Sequence, residues 1–220
     1  LIFGWGQECG EFEFAKGASE GGAAVIPADW SSNLSVLGNV ENAIVVGNQH
    51  AADDGVTTDG THYVAFVMSD GDNIQFMQNA FNDPPWWGNM YRGDFPMGWE
   101  MSPVLEHVAP SILQWIYATA TPNDQAVGGP SGAGYAFPSV HADPTALALE
   151  TAKGLQATDM RLTTILNTGG GLEAGDVFVK QPEIDGVIYK DFSDYNGKKG
   201  ELRWTNGKPI VAFRYLLWNN

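Results

Sequence analysis

The chain has 220 residues, of which 44% are hydrophobic, and this length and composition predict one domain with a substantial core. Its formal net charge is −15, from 26 acidic against 11 basic residues, which argues against nucleic acid as a partner because phosphate backbones would be repelled. No apolar run approaches the roughly 18 residues of a membrane span, and the single Cys9 allows neither an internal disulfide nor a cysteine metal cluster.

Short runs of β-type composition recur along the chain, and each ends in polar residues or glycines. Their apolar stretches are continuous rather than alternating, as in residues 64–68, which is typical of strands buried on both faces of a parallel sheet. The predicted strands cover residues 1–6, 23–29, 63–70, 95–100, 112–119, 163–168, 186–191 and 210–218.

Segments with helical patterns lie between some of these strands. The clearest covers residues 144–155, with Asp143 as the predicted N-cap and proline at the first helical position. Shorter helices are predicted over 73–82 and 103–108, and residues 48–61 are a predicted surface loop. The alternation predicts an α/β fold, and the number of units favours a (β/α) barrel-like domain over residues 1–220, seven-unit or incomplete; an open parallel sheet is the alternative.

Acidic residues close several of the predicted strands. Catalytic groups of a parallel barrel lie at the carboxyl ends of its strands, so these acids are the first candidates for chemistry. Asp70 and Asp72 close the strand that begins at residue 63, and Glu100 closes the next one. Asp29 and Asp191 follow two others. A barrel would bring all of these carboxylates to one mouth.

The segment Ser69-Asp70-Gly71-Asp72-Asn73 allows three interpretations. Its carboxylates serve acid–base chemistry or sugar binding, or they hold a divalent cation, since two carboxylates and an amide supply several oxygen ligands around a glycine turn. The third interpretation is that Asp70 or Asp72 caps a following helix and that Asn73 stabilises the turn. The spacing does not match an EF-hand loop, so the cation at Asp70 and Asp72 depends on oxygen count alone, and no other cofactor is predicted.

Glycoside hydrolysis usually needs one carboxylic acid that protonates the leaving oxygen and a second carboxylate that attacks or activates water. Glu100 together with Asp70 or Asp72 meets this requirement. The ring of Trp99 beside Glu100 is expected to disfavour ionisation and so keep an acid protonated. The alternative is a glutamate that binds a backbone amide at the strand end.

Aromatic residues near these acids are candidates for stacking on the apolar faces of sugar rings. Trp86 and Trp87 follow two prolines, which would stiffen a binding loop. Packing in the core is the alternative, and it is favoured for Trp30 and Trp204. The predicted substrate-binding residues are Asp29, Asn73, Trp86, Trp87, Trp99, Tyr135 and Asp191.

Residues 132–138 read Gly-Ala-Gly-Tyr-Ala-Phe-Pro and resemble the Gly-x-Gly-Tyr-x-Tyr-Pro signature of the GxGYxYP glycoside hydrolase family, with Phe137 in place of the second tyrosine. Residues 29–30, 33–35, 69–73 and 98–103 also resemble the C-terminal domain of that family. The resemblance implies a barrel-like catalytic domain that acts on oligo- or polysaccharides. It also implies a secreted or periplasmic bacterial protein with a further N-terminal domain that would precede this chain.

The leading hypothesis is a carbohydrate-active hydrolase that cleaves glycosidic bonds with Asp70, Asp72 and Glu100. One alternative is a metal-dependent sugar-ester deacetylase that uses a cation at Asp70 and Asp72. Another is a non-catalytic glycan-binding module in which the acids only hydrogen-bond hydroxyl groups. Serine catalysis is disfavoured, because the segment around Ser131 departs from the Gly-x-Ser-x-Gly nucleophile elbow at its last position.

Overall fold

The computed structural model describes residues 1–6, 8–40, 47–48, 60 and 62–217, and the structural statements below concern these residues. Most of the predicted surface loop over 48–61 lies outside them. The strands are β1 (Ile2–Phe3), β2 (Val25–Ile26), β3 (Val67–Met68), β4 (Met97–Met101), β5 (Asp124–Gly128), β6 (Leu162–Asn167), β7 (Gly186–Asp191), β8 (Leu202–Thr205) and β9 (Lys208–Ala212). The α-helices are α1 (Glu11–Glu20), α2 (Leu34–Leu37), α3 (Ile74–Gln78), α4 (Leu105–Val108), α5 (Pro110–Thr119), α6 (Pro144–Ala157) and α7 (Asp176–Val179), and two 3-10 turns cover Pro138–Val140 and Leu172–Gly175.

A mostly parallel sheet of seven strands, in the order β3-β4-β5-β6-β7-β9-β8, forms the centre of the fold. Five of its six neighbouring pairs are parallel, and only β8 and β9 are antiparallel. The strands β1 and β2 form a separate parallel pair. The predicted α/β fold with a parallel sheet is therefore confirmed.

The sheet is open, so the expectation of a barrel is corrected in favour of the open-sheet alternative. The hairpin of β8 and β9 forms one edge of the sheet. Asn206 and Gly207 have φ values of 56° and 73°, which suit the tight turn that joins β8 to β9. As a result β8 occupies the outer edge of β9, where a closing strand of a barrel would pair. Within the described residues, β3 is the edge strand at the other side of this sheet.

Two predictions about local structure have different outcomes. Helix α6 is confirmed, and Asp143 caps it by accepting a hydrogen bond at Oδ1 from the backbone N–H of Ala146 at 2.9 Å. The predicted strand over 112–119 is wrong, because this segment belongs to α5. The buried residues Leu113, Ile116 and Tyr117 recur at helical spacing, which the continuous apolar composition conceals.

The family-like segment 132–138 is buried in full and connects β5 to α6. Gly132 has a φ of 75°, and a side chain there would overlap that of Thr151. Tyr135 pairs with Val25 of β2 through two backbone hydrogen bonds of 2.7 and 2.9 Å. The segment therefore ties β2 and the neighbouring helix α1 to the main sheet.

Candidate active site

A cavity of about 370 Å³ opens where the carboxyl ends of several parallel strands meet. Among the residues that the structure describes, four acidic side chains line it: Glu11 from α1, Asp29 from the segment after β2, and Asp70 and Asp72 from the turn after β3. Lys190 of β7 is the cation of the wall. The predicted convergence of strand-end acids is thus observed for three of the five acids proposed from sequence.

The turn after β3 is shaped by close contact with β4. Asp70 has a φ of 72°, in the left-handed region, and a side chain at position 71 would overlap the carbonyl oxygen of Glu100. The backbone N–H of Ser102 donates to the carbonyl oxygen of Gly71 at 2.8 Å. Asn73 caps α3 by accepting from the N–H of Phe76 at 3.2 Å, so the capping role considered for this segment belongs to Asn73. Asp70 and Asp72 instead line the cavity.

Asp72 has an unusual protonation state for an aspartic acid. Removal of its carboxyl group from water, followed by the nearby charges of Glu100 and Asp70, raises the pKa of Asp72 to about 8. The charge of Lys190 lowers the pKa of Asp72, but it does not cancel the increase. Asp72 therefore carries a proton near neutral pH, as a general acid requires.

Glu100 lies in the core next to this group and does not line the cavity. Its Oε1 accepts a hydrogen bond from Lys190 Nζ at 2.7 Å, and its buried Oε2 has no hydrogen-bond partner in the described structure. Trp99 does not shield it as expected, because adjacent residues of a strand point to opposite faces. Glu100 is held in an ion pair instead of an apolar pocket.

Glu11 is attached to the family-like segment. The hydroxyl of Tyr135 donates to Glu11 Oε1 at 2.7 Å, and the indole of Trp5 stacks on the Tyr135 ring with centroids 5.8 Å apart. Burial, followed by the bond to Glu11, raises the pKa of Tyr135. Burial also raises the pKa of Tyr195, which lines the same cavity. Both tyrosines are therefore neutral hydrogen-bonding groups in the wall.

The predicted substrate-binding residues separate into two groups. Asp29, Asn73 and Tyr135 line the cavity. The other four do not line it: Trp86, Trp87, Trp99 and Asp191.

The contacts of the four residues that do not line the cavity explain why they lie outside it. Trp87 and Trp99 are core residues whose indole N–H groups donate to Thr119 and Asp124 at 3.0 and 2.9 Å. Trp86 packs edge-on against Phe76 outside the cavity. Asp191 accepts a hydrogen bond from the Tyr189 hydroxyl at 2.6 Å.

The cavity residues that were not predicted from sequence include Trp5, Glu11, Trp30, Lys190 and Tyr195. Lys190 could have been predicted as a site residue, since it lies beside Asp191 at a predicted strand end. Trp30 carried a weaker one in its position after β2, and 76% of its surface is exposed, so the favoured packing role does not describe it. Glu11 and Trp5 have no local pattern that would single them out.

In the described ranges, no three His, Cys, Asp or Glu side chains are grouped as a metal ion would require. A cation held by Asp70 and Asp72 stays a prediction. None of the helices in the part of the chain that the structure describes is long and apolar enough to span a bilayer.

Comparisons with known proteins support the fold and identify the family. The fold is similar to the crystal structure of a "putative hydrolase" from Bacteroides thetaiotaomicron VPI-5482, with 30% sequence identity and a TM-score of 0.85. The match covers 98% of this chain and 42% of that one, so the chain spans about two fifths of the length of that protein. No protein in the curated comparison matches the chain.

A family model described as "GxGYxYP putative glycoside hydrolase C-terminal domain" matches residues 60–220. This range contains the turn with Asp70 and Asp72, the buried Glu100 and Lys190, and the segment 132–138. Because the match extends over most of the chain, the protein belongs to the family described as "GxGYxYP putative glycoside hydrolase".

Proposed function

We propose that the cavity hydrolyses glycosidic bonds by carboxylate acid–base chemistry. The observation that carries the proposal is Asp72, an acid with a pKa of about 8 that shares a cavity with the carboxylates of Asp70 and Glu11. A protonated acid beside a second carboxylate is the pair that most glycosidases use. Membership of the family supports the same reaction class.

Asp72 is the proton donor in this mechanism. It transfers its proton to the glycosidic oxygen as the bond to the anomeric carbon breaks. A second carboxylate of the cavity then attacks the anomeric carbon or deprotonates the water that attacks it. Asp70 is the partner predicted from sequence, and Glu11 is the other candidate in the wall.

Glu100 has a positioning role in the proposal. Its buried charge raises the pKa of Asp72, and its ion pair fixes Lys190 in the cavity wall. Lys190 is thereby available to bind a sugar hydroxyl or the oxygen of the leaving group. Glu100 itself stays behind the wall and does not contact substrate.

The cavity has the character of a sugar site. Its volume of about 370 Å³ falls within the range of roughly 300 to 1,000 Å³ that is common for ligand pockets. Trp5 and Trp30 supply aromatic surface, and Asp29 and Asn73 supply polar groups for hydroxyls. Oligo- and polysaccharides are the proposed substrates.

The test uses the complete encoded protein with polysaccharides and aryl glycosides, and it measures released sugar and released phenol. Asp72→Asn should lose about 10²- to 10⁴-fold activity on substrates with poor leaving groups. It should lose much less on 2,4-dinitrophenyl glycosides, which need no protonation. Asp83→Asn, an exposed aspartate outside the cavity, is the matched control.

The outcomes separate the proposed function from its alternatives. Glycan binding without release of any sugar would indicate a binding module. Release of acetate from acetylated glycans, lost on chelation and restored by metal, would indicate a deacetylase. Full activity of Asp72→Asn on poor leaving groups would contradict its role as the acid.

A further inference from the structure

We infer that Glu11 is the second catalytic carboxylate of the cavity and that Tyr135 of the family signature is its positioning residue. The inference rests on the proposed hydrolase function and names a residue that the sequence patterns did not indicate. Glu11 lines the same cavity as Asp72 but belongs to a different element, the first turn of α1.

The hydrogen bond between Tyr135 and Glu11 fixes the carboxylate. The tyrosine hydroxyl donates to Oε1 at 2.7 Å, which leaves Oε2 as the oxygen for reaction at the anomeric carbon. The first turn of the ten-residue helix α1 also favours a negative charge. A fixed, charged carboxylate is what a nucleophile or a general base must be.

Tyr135 is itself held rigidly. Backbone hydrogen bonds join it to Val25 in both directions, Trp5 stacks on its ring, and Phe137 packs against its edge. Its phenol remains neutral because burial raises its pKa, so it remains a hydrogen-bond donor across the physiological range. The signature tyrosine can therefore hold Glu11 without taking part in proton transfer.

The position of Glu11 also suits the reaction better than that of Asp70. Asp70 and Asp72 belong to the same short turn, and the charge of Asp70 helps to raise the pKa of Asp72. Glu11 belongs to α1, a different element of the cavity wall from the turn of Asp72, so in the proposed mechanism the glycosidic bond lies between these two carboxyl groups.

The proton of Asp72 moves to the glycosidic oxygen, which leaves with the electron pair of the broken bond. The new bond at the anomeric carbon takes its electron pair from Glu11 Oε2 or from a water that Glu11 deprotonates. In the first case, Asp72 later takes a proton from the water as the water oxygen displaces Glu11; in the second case, Glu11 releases the proton of the water to solvent and Asp72 takes up a proton from solvent.

The experiment compares variants of the complete protein on whichever aryl glycoside the wild type cleaves. Glu11→Gln should reduce kcat/KM by at least about 10²-fold. Glu13→Gln is the matched control, because Glu13 is an exposed acid of the same helical turn that does not line the cavity, and its activity should stay within twofold. Asp70→Asn should lose tenfold or less.

Chemical rescue distinguishes catalysis from structure. Added azide should restore at least tenfold of the lost rate to Glu11→Ala, because the small anion takes the place of the carboxylate. It should not rescue Asp70→Ala. Tyr135→Phe should lower kcat about tenfold at unchanged KM, without rescue by azide and with an unchanged melting temperature.

The failure of this inference differs from failure of the proposed function. If the wild type cleaves glycosides while Glu11→Gln stays within threefold of it, or if azide rescues Asp70→Ala instead, Glu11 is not the second carboxylate but the hydrolase proposal stands. If the wild type cleaves nothing, conduritol B epoxide and peptide mass spectrometry give a separate measurement. Alkylation of Glu11 that is about tenfold slower in Tyr135→Phe supports the inference, and alkylation of Asp70 in place of Glu11 overturns it.

Discussion

Lys190 Nζ lies 2.7 Å from Glu100 Oε1, and the side chains of the two residues are only 5% and 0% exposed. The pair joins β7 to β4 across two intervening strands of the sheet. The two charges have opposite effects on the pKa of Asp72, because Glu100 raises it and Lys190 lowers it. The core and the candidate active site are therefore parts of one charge network.

Loss of one partner of this pair should strongly destabilise the fold. Lys190→Met leaves the Glu100 charge buried and unpaired, so we expect the free energy of unfolding to fall by about 3–5 kcal/mol. Lys153→Met is the control, since Lys153 and Glu150 form an exposed pair worth less than about 1 kcal/mol. Urea unfolding measures both, and equal losses would contradict the importance of burial. Adding Glu100→Gln to Lys190→Met should recover part of the lost stability.

The raised pKa of Asp72 predicts an effect of pH on stability. The folded protein keeps the Asp72 proton up to about pH 8, whereas the unfolded chain loses it near pH 4, so the folded state binds more protons in between. Stability from this group should be largest below pH 4 and should be lost as pH rises to 8. Asp72→Asn removes the effect.

Urea unfolding at pH 5 and pH 8 checks this prediction. Asp72→Asn should become more stable relative to the wild type as pH rises. A difference between the two proteins that is constant from pH 5 to pH 8 would mean that the pKa of Asp72 is not raised.

Two glycines should respond in opposite ways to alanine. At Gly71 a methyl group would overlap the backbone of Glu100, which cannot move aside, so Gly71→Ala should destabilise the protein by more than about 2 kcal/mol and abolish activity. Gly17 lies inside α1 with open space around it, so Gly17→Ala should stabilise by about 0.5–1 kcal/mol. Thermal unfolding compares the two, and a tolerated alanine at position 71 would contradict the close approach.

Trp30 should serve as an aromatic platform for sugar at the cavity mouth. Trp30→Ala should raise KM or the glycan dissociation constant about three- to tenfold, in line with an aromatic contact of about 0.5–1.5 kcal/mol, with little change in melting temperature. Trp204 is the control, because it is 58% exposed on β8 and does not line the cavity. Isothermal titration with the cleaved oligosaccharide would measure both variants. An equal effect of the two substitutions would argue against the platform.

Local patterns were informative wherever neighbours in the chain decide the structure. The cap at Asp143 and the proline after it predict the start of α6, because both act within one helical turn. The turn after β3 was recognisable for the same reason, since Gly71 and its flanking acids are adjacent. The predicted strand over 112–119 shows the limit of this reasoning, because a continuous apolar run suits a buried strand and a buried helix equally.

The face of the sheet to which each strand side chain points could not be predicted. In a strand covered on both faces no alternation of apolar and polar residues reveals which side chains point to the cavity. At β7 the sequence argument selected Asp191, but Lys190 lines the cavity and Asp191 binds Tyr189 on the other side. At β4 the same alternation of faces separates Trp99 from Glu100.

The amino-acid sequence by itself determined the α/β class, the parallel strands and the turn that carries Asp70 and Asp72, because short-range composition and spacing encode these features. Only the tertiary structure decided that the sheet stays open, that Glu100 pairs with Lys190, and that Glu11 meets Tyr135 from 124 residues away. Such contacts depend on how distant segments pack together, and the residues that make them carry no local mark of their partner.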